Sequence, residues 1–424
     1  MLCRFVCCVV FYSITEIKSF INKPISGKME KKRIYFDYNA TTPVDPRVSR
    51  QMDEVARDCF GNPSSTHGFG RQAAEVLARA RARVAESLGA ESDEICFTSG
   101  GSESDNLALK GVLLPRLREK GARPHLVISA VEHPAVSEAA GWLEKMGVEV
   151  TRLPVAADGT LDPAAVEAAL CERTVLVSLM LANNETGVLF PLEEVAAITR
   201  KKGVLLHTDA VQAFGKIEID LKTLGVDLFS VSGHKVYAPK GVGALWIRKE
   251  IKLDPLLHGG SQEAGLRAGT ENLPGIAAFG EACAILARDG GEERDRIAGL
   301  RDRLEEKLDL ALGGRLVFHG HRRMRVPNTI SLSVPWVDSE ALLSYLDLEG
   351  IAISAGSACA SSEHKSSTVL EAMGVDPSLT RGAIRISLGR WNTADEVEYF
   401  VEKFTAVVRR LWSISPLYQS RNQD

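Results

Sequence analysis

The stretch LFSVSGHKVYAPKGVGALWI, residues 228–247, sets two apolar runs on either side of a polar turn that contains a lysine. The first run, Leu228 to Val231, is short and has no solvated face, so it reads as a strand covered on both sides; Gly243 to Ile247 reads as another. Working outward, the same signature recurs at Ile95 to Thr98, Leu126 to Ser129, Val175 to Met180 and Val204 to Thr208, separated by helical patterns such as 71–88 and 191–202. Strands alternating with helices make an α/β protein, with a mainly parallel sheet covered by helices on both faces. Ligands of such sheets bind at the carboxyl ends of the strands. From about residue 290 the pattern changes to a charged helix (292–312), then Asn328 to Val334 and Ala383 to Leu388, which predicts a smaller α+β domain. No fixed-period repeat, long linker or low-complexity tract interrupts the chain.

Composition narrows the class of function. The 424 residues carry 51 Lys+Arg against 55 Asp+Glu, a net charge of −4, which excludes a polyelectrolyte scaffold or a generic nucleic-acid coat. With 45% hydrophobic and 25% charged residues, collagen-like and disordered classes fall away. The eight cysteines form no CxxC pair, so neither a zinc cage nor a disulfide framework is indicated, and a reducing cytoplasm is the expected setting. The opening MLCRFVCCVVFYSITEIKSF has an apolar run that ends near Tyr12, too short to span a bilayer and without an A-x-A cleavage pattern. Residues 1–28 are therefore expected to be an extension outside the fold, the patterned sequence opening at Met29.

The residues just beyond each strand carry the chemistry. After Ile95 to Thr98 comes SGGSESDN, glycines and small hydroxyls leading into a helix, a setting that offers backbone N–H groups and a positive dipole end to a phosphate. Taken alone it reads rather as a capped glycine loop. GxxxxGK[ST] is absent, as is GxGxxG in the required setting, so nucleotide readings lose their support. The next strands end in Glu132-His133, in Asn183-Asn184-Glu185 and in Thr208-Asp209-Ala210-Val211-Gln212. Singly, Asp209 reads as a cap and His133 as a structural histidine. Lys235 is different, because lysine is rarely buried without cause and desolvation lowers its pKa toward the neutral amine needed for a Schiff base. A strand-end lysine, a carboxylate ending the preceding strand and a phosphate-binding helix start are together what pyridoxal 5′-phosphate requires.

The stretches DYNATTPVDPRV (37–48), FGNPSSTHGFGR (60–71), FTSGGSESDN (97–106), VEHPAV (131–136), NNETG (183–187), DAVQAFGK (209–216), SGHKVYAPKGVGAL (232–245), HGGSQEAGLRAGTEN (258–272), SAGSACASS (354–362) and RISLGRWNT (385–393) closely resemble cysteine desulfurases of the nitrogen-fixation and iron–sulfur-cluster type. The resemblance extends from about residue 33 to 400. It implies a fold-type I pyridoxal phosphate enzyme of the class V aminotransferase family, a homodimer that takes sulfur from L-cysteine and yields alanine and an enzyme persulfide. It also implies a large cofactor domain, placed here at 44–288, and a small domain from both chain ends, 29–43 and 289–424.

Carried onto this sequence, the resemblance makes Lys235 the cofactor-bearing lysine, Asp209 the partner of the ring nitrogen and His133 the group stacked on the ring. Gln212 and Asn184 approach the phenolic oxygen. The phosphate cup is Gly101, Ser102, Ser232 and His234, with Thr270 from the second subunit. Arg385 clamps the substrate carboxylate, a task suited to its planar fork, and Asn39 and Asn184 lie near it. Cys359, flanked by small polar residues, is the sulfur acceptor, a nucleophile that acts as thiolate. No metal takes part in the catalytic step, although Cys359 would be placed to ligate a partner's cluster transiently. A sulfur acceptor or iron–sulfur scaffold protein is the expected partner, with no nucleic acid and no membrane.

Two departures stand out. SSEHKSS (361–367) replaces the Leu-Glu-Pro-Ser stretch common in the family, which bears on the acceptor rather than the chemistry. Ser102 stands where threonine is common, and either hydroxyl bonds phosphate. The alternatives are a selenocysteine lyase or aminotransferase on the same fold, and a catalytically silent scaffold, against which the intact set Lys235, Asp209, His133 and Cys359 argues.

Overall fold

A computed structural model describes residues 33–356 and 367–421. The chain divides into two units, Met1–Arg33 and Ile34–Asp424; of the first, only the exposed Arg33 is described. The expected extension 1–28, Cys359 and the stretch 361–366 lie outside the described residues.

The chain opens with a short strand, β1 (Ile34–Tyr35), and then builds a seven-stranded sheet from β2 (Ile95–Thr98), β3 (His125–Ser129), β4 (Glu149–Leu153), β5 (Thr174–Ser178), β6 (Leu205–Asp209), β7 (Leu228–Ser232) and β8 (Gly243–Ile247). Its order is β2-β8-β7-β6-β5-β3-β4. Every neighbouring pair from β7 to β4 is parallel, and β8 runs antiparallel to both β2 and β7. The strands alternate which side chains meet which helices. Val127, Val177 and Phe229 join the core formed with Val84 and Leu88 of the helix Gly68–Leu88 and with Phe279, whereas Leu126, Leu176 and Leu228 join Leu109, Leu113 and Leu143 of the helices Gly101–Leu117 and Pro134–Lys145. Both faces are thus covered, which is why these strands read as unbroken apolar runs.

β4 escaped the sequence reading for the opposite reason. It is the edge strand, half-exposed, and carries Glu149 and Arg152 in ion pairs with Arg173 and Glu144, so charges dilute its apolar pattern.

The second sheet is β9 (Val317–His319), β10 (Thr329–Ser333), β12 (Ser354–Ala355) and β13 (Ala383–Ser387), antiparallel throughout, and β1 pairs in parallel with β11 (Ile351–Ala352). Ile34 and Phe36 from the start of the described chain pack there with Ile330, Leu332, Ile384, Ile386, Phe400 and Phe404, so both ends of the chain close one smaller α+β core. The charged helix expected at 292–312 begins much earlier. It runs Leu273–Ala311 behind an Asn272 N-cap, and its first half packs in the large core (Ile276, Phe279, Ile285) while its second half packs in the small one (Ile297, Leu304, Leu308).

Gly280 shows why glycine is tolerated inside this helix. A β-carbon there would lie 2.8 Å from Cα of Ala80, because the helix Gly68–Leu88 crosses at backbone contact. Helix propensity alone predicts that Gly280→Ala stabilises by about 1 kcal/mol. The crossing reverses the sign, and we expect a loss of about 1–3 kcal/mol, read as a lower urea midpoint at unchanged slope. A midpoint that rises would show that the helices separate freely.

Candidate active site

The carboxyl ends of β5, β6 and β7 and the start of the helix Gly101–Leu117 enclose a cavity of about 250 Å³. Its wall contains Gly101, Ser102, His133, Asn184, Asp209, Gln212, Ser232, His234 and Lys235, residues drawn from separate segments of the sequence. The strands bring them together because parallel pairing puts all their carboxyl ends on one edge.

Lys235 follows β7 by one short turn. Its Nζ donates to the main-chain oxygens of Asn39 and, at 2.9 Å, of Ala40. Asp209 ends β6, and its Oδ1 accepts the Val211 N–H at 2.9 Å. Burial pushes the Asp209 carboxyl up, while His133, that N–H and Lys235 draw it down. His133 caps the helix Pro134–Lys145, its Nδ1 accepting the Ala135 N–H at 3.1 Å, which assigns the ring proton to Nε2. Burial, reinforced by Lys235, Lys240 and Lys216, lowers His234 to about 4, so it is neutral at pH 7, with Nδ1 3.1 Å from Thr41 Oγ1.

The wall suits pyridoxal phosphate. A β-carbon on Gly101 would come within 2.7 Å of Val211 Cγ2, so only glycine leaves the helix start open, and no side chain caps that start. Its first N–H groups are therefore directed at an anion. At the other end a buried carboxylate, Asp209, calls for a cation such as a protonated ring nitrogen.

Three expected residues sit elsewhere. Thr270 is exposed and does not line its own chain's cavity. Asn39 is buried, and its side chain is consumed: Oδ1 accepts from Lys216 Nζ at 2.9 Å and from Asn328 at 3.0 Å, while Nδ2 donates to Thr329 Oγ1 at 2.9 Å. Arg385, 3% exposed on β13, donates to Asp37 Oδ1 and to the Asn184 oxygen, both at 3.0 Å, and its Nε finds no partner among the described residues.

The sequence reading missed Asp105 in the wall and the groups behind it. Lys216 reaches back across a run of turns to Gln212 Oε1 as well as to Asn39, and burial, with Lys235 and Arg385 nearby, holds its ammonium well below the ordinary lysine range. Gln212 in turn donates to the Asn39 oxygen at 3.0 Å. Asp105 is buried beside Asp209, its carboxyl raised by burial and by that like charge. Glu132 accepts from Ser129 Oγ at 2.6 Å and Met180 N at 3.1 Å, and burial lifts it to about 8. No local pattern signals these groups, since Gln212 and Lys216 lie in a run of turns rather than on a helical face. No group of residues able to hold a metal ion occurs among the described residues, and no helix there is long and apolar enough to cross a membrane.

A model of the family described as "Aminotransferase class-V" matches residues 34–400. Cysteine desulfurase IscS of Dictyoglomus turgidum is 44% identical over 389 residues, 92% of this chain and 98% of that relative. Among solved structures, a NifS-like protein superposes with a TM-score of 0.83 at 40% identity, covering 89% of this chain and 100% of that one. A second, described as SspA in complex with cysteine, gives a TM-score of 0.75 at 34% identity and covers 85% of this chain and 100% of its own.

Proposed function

The chain belongs to the class-V aminotransferase family and is a pyridoxal 5′-phosphate-dependent cysteine desulfurase, and from that premise we propose how its residues divide the work. The observation that carries the assignment is the convergence of Lys235, Asp209, His133, Gly101 and Ser102 on one cavity at the strand ends.

When bound, pyridoxal phosphate supplies an attachment point for amines and a sink for the electron pair left at Cα when its proton departs. Lys235 holds the cofactor and moves that proton. Asp209 keeps the ring nitrogen protonated, and the rise in its own pKa on burial is offset once a cation faces it. Gly101, Ser102, Ser232 and His234 receive the phosphate. Gln212 and Asn184 face the phenolic oxygen, Gln212 being fixed from behind by Lys216 and the Asn39 carbonyl. His133 covers the ring, held in one tautomer by its own helix. Arg385 takes the substrate carboxylate, with Asp37 and the Asn184 oxygen holding the guanidinium in place. Asn39 acts here through its neighbours, orienting Lys216 and Lys235. Cys359 accepts the substrate sulfur as a thiolate: a new S–S bond forms as the C–S bond breaks, the C–S electron pair stays with the carbon fragment, and that fragment leaves as L-alanine after Cβ takes a proton.

The persulfide then passes to a sulfur-acceptor or scaffold protein, and iron–sulfur cluster assembly in the cytoplasm is the setting we favour. The free thiols Cys59, Cys96, Cys171 and Cys283 suit a reducing compartment. The division into a large domain, 44–288, and a small one, 29–43 with 289–424, is supported by the two cores, with Val326, Val369, Leu370, Met373 and Ala383 of the second range packing in the large one. Exposed Thr270 is proposed to complete the phosphate cup of a second subunit, so a homodimer has two composite sites.

Mixing two defective chains tests this. Lys235→Ala and Thr270→Ala homodimers are each impaired, the first in turnover and the second in cofactor retention. Their hybrid holds one site with sound Lys235 and sound Thr270 from opposite chains, so alanine formation should return on mixing after partial unfolding. A fully active monomer in sedimentation, or mixing without rescue, refutes the shared cup.

A further inference from the structure

Glu185 follows Asn184 of the cavity wall and is itself buried, with its main-chain N–H bound at 2.9 Å to Asn183 Oδ1. Its Oε2 accepts the hydroxyl of Ser367, whose Oγ in turn accepts the Leu370 N–H at 3.1 Å and so caps the helix Thr368–Ala372. On the other side, a β-carbon built on Gly356 would stand 3.6 Å from the same Oε2 and 3.8 Å from Cβ of Ser367. Gly356 ends the strand-like stretch after β12, its N–H 3.3 Å from the Ala383 oxygen on β13. Gly356 and Ser367 are the two described residues that flank the segment carrying Cys359; Ser367 is bonded to this carboxyl group and Gly356 lies beside it.

We propose that Glu185 is a positioning residue for sulfur transfer, tying the Ser367 root of the Cys359 segment to the wall of the cofactor cavity by a hydrogen bond and packing beside the Gly356 root. The inference rests on Cys359 being the sulfur acceptor. A buried carboxyl is costly to retain unless its hydrogen bonds define a geometry. Burial raises this one to about 7, against the opposing effects of the Ser367 hydroxyl, Arg385 and His133. Since Asn184 faces the cavity and Glu185 the Ser367 root, the NNETG turn joins the cofactor wall to one end of that segment. A displacement of about 1 Å at such a link is enough to cost on the order of 10²-fold in rate.

The test uses the holoenzyme and reads persulfide formation on Cys359 in a single turnover by intact mass, with KM for L-cysteine and cofactor absorbance measured alongside. Glu185→Ala should form persulfide at least about tenfold more slowly, with KM and absorbance close to wild type. Glu185→Gln should stay within about threefold of wild type, because its Oε1 still accepts the Ser367 hydroxyl. Ser367→Ala should be slowed too, and adding Glu185→Ala to it should cost little more, the mark of a shared contact. Wild-type persulfide rates in Glu185→Ala overturn the proposal. So does a rise in KM at unchanged kcat with Gln no better than Ala, which would mean that Glu185 acts through its charge on Arg385. If persulfide appears on a thiol other than Cys359 in the wild type, the reading of Cys359 falls instead, a result distinct from either.

Discussion

Lys235→Ala should abolish alanine formation from L-cysteine, by more than about 10³-fold, and with it the cofactor mass that borohydride fixes to the wild-type chain. Both effects have one cause. Lys235 is the amine that β7 delivers to the cavity, and its Nζ donates to the Asn39 and Ala40 carbonyls. The nearest substitute is Lys216, but its Nζ is already shared between Asn39 Oδ1 and Gln212 Oε1 behind the wall. The variant should therefore keep its fold and bind cofactor only reversibly. If borohydride still fixes the cofactor to the variant, Lys216 is the attachment point and the assignment of Lys235 is wrong.

Cys359→Ser separates sulfur transfer from everything that precedes it. The variant should retain the cofactor absorbance and still bind L-cysteine, because Lys235, Asp209 and Arg385 are untouched, yet release sulfur at least about 10³-fold more slowly, which corresponds to about 4 kcal/mol. A serine hydroxyl has a pKa far above that of a thiol and cannot take a sulfur atom as a stable persulfide. Mass spectrometry of the wild type after one turnover should show a single added sulfur that the variant lacks. Desulfuration at the original rate in the variant would assign the acceptor to another thiol. Cys96 and Cys283 are poor candidates, since burial pushes both thiols up to about 12.

The residues legible in the sequence are those whose role is fixed by position on a strand. Lys235 and Asp209 could be read because a charged group at or just beyond the end of a buried strand has few places to go except the strand-end edge, and β6 and β7 are parallel neighbours there. β2 and β8 were legible to the residue because burial on both faces leaves no polar interruption. What escaped depends on contacts between distant segments. Nothing near Glu185 in the sequence announces Ser367, 182 positions away, and Lys216 looks like an ordinary surface lysine at a turn until Asn39 is brought against it. Likewise the first half of the helix Leu273–Ala311 hides behind Gly280, Gly290 and Gly291, and only for Gly280 does the fold reveal packing, against Ala80, that offsets the cost in propensity.

That helix also governs how the protein comes apart. It has 39 residues, about 58 Å of continuous backbone at 1.5 Å per residue, and no loop marks the point where it leaves one core and enters the other. Fraying from the small core propagates along hydrogen bonds that the large core also needs, so melting of the two cores is thermodynamically linked despite their separate sheets. The boundary between the domains is thus a place in the packing but not a place where the chain can be cut: severing it at 288/289 would leave each half with a truncated helix and a naked apolar stripe.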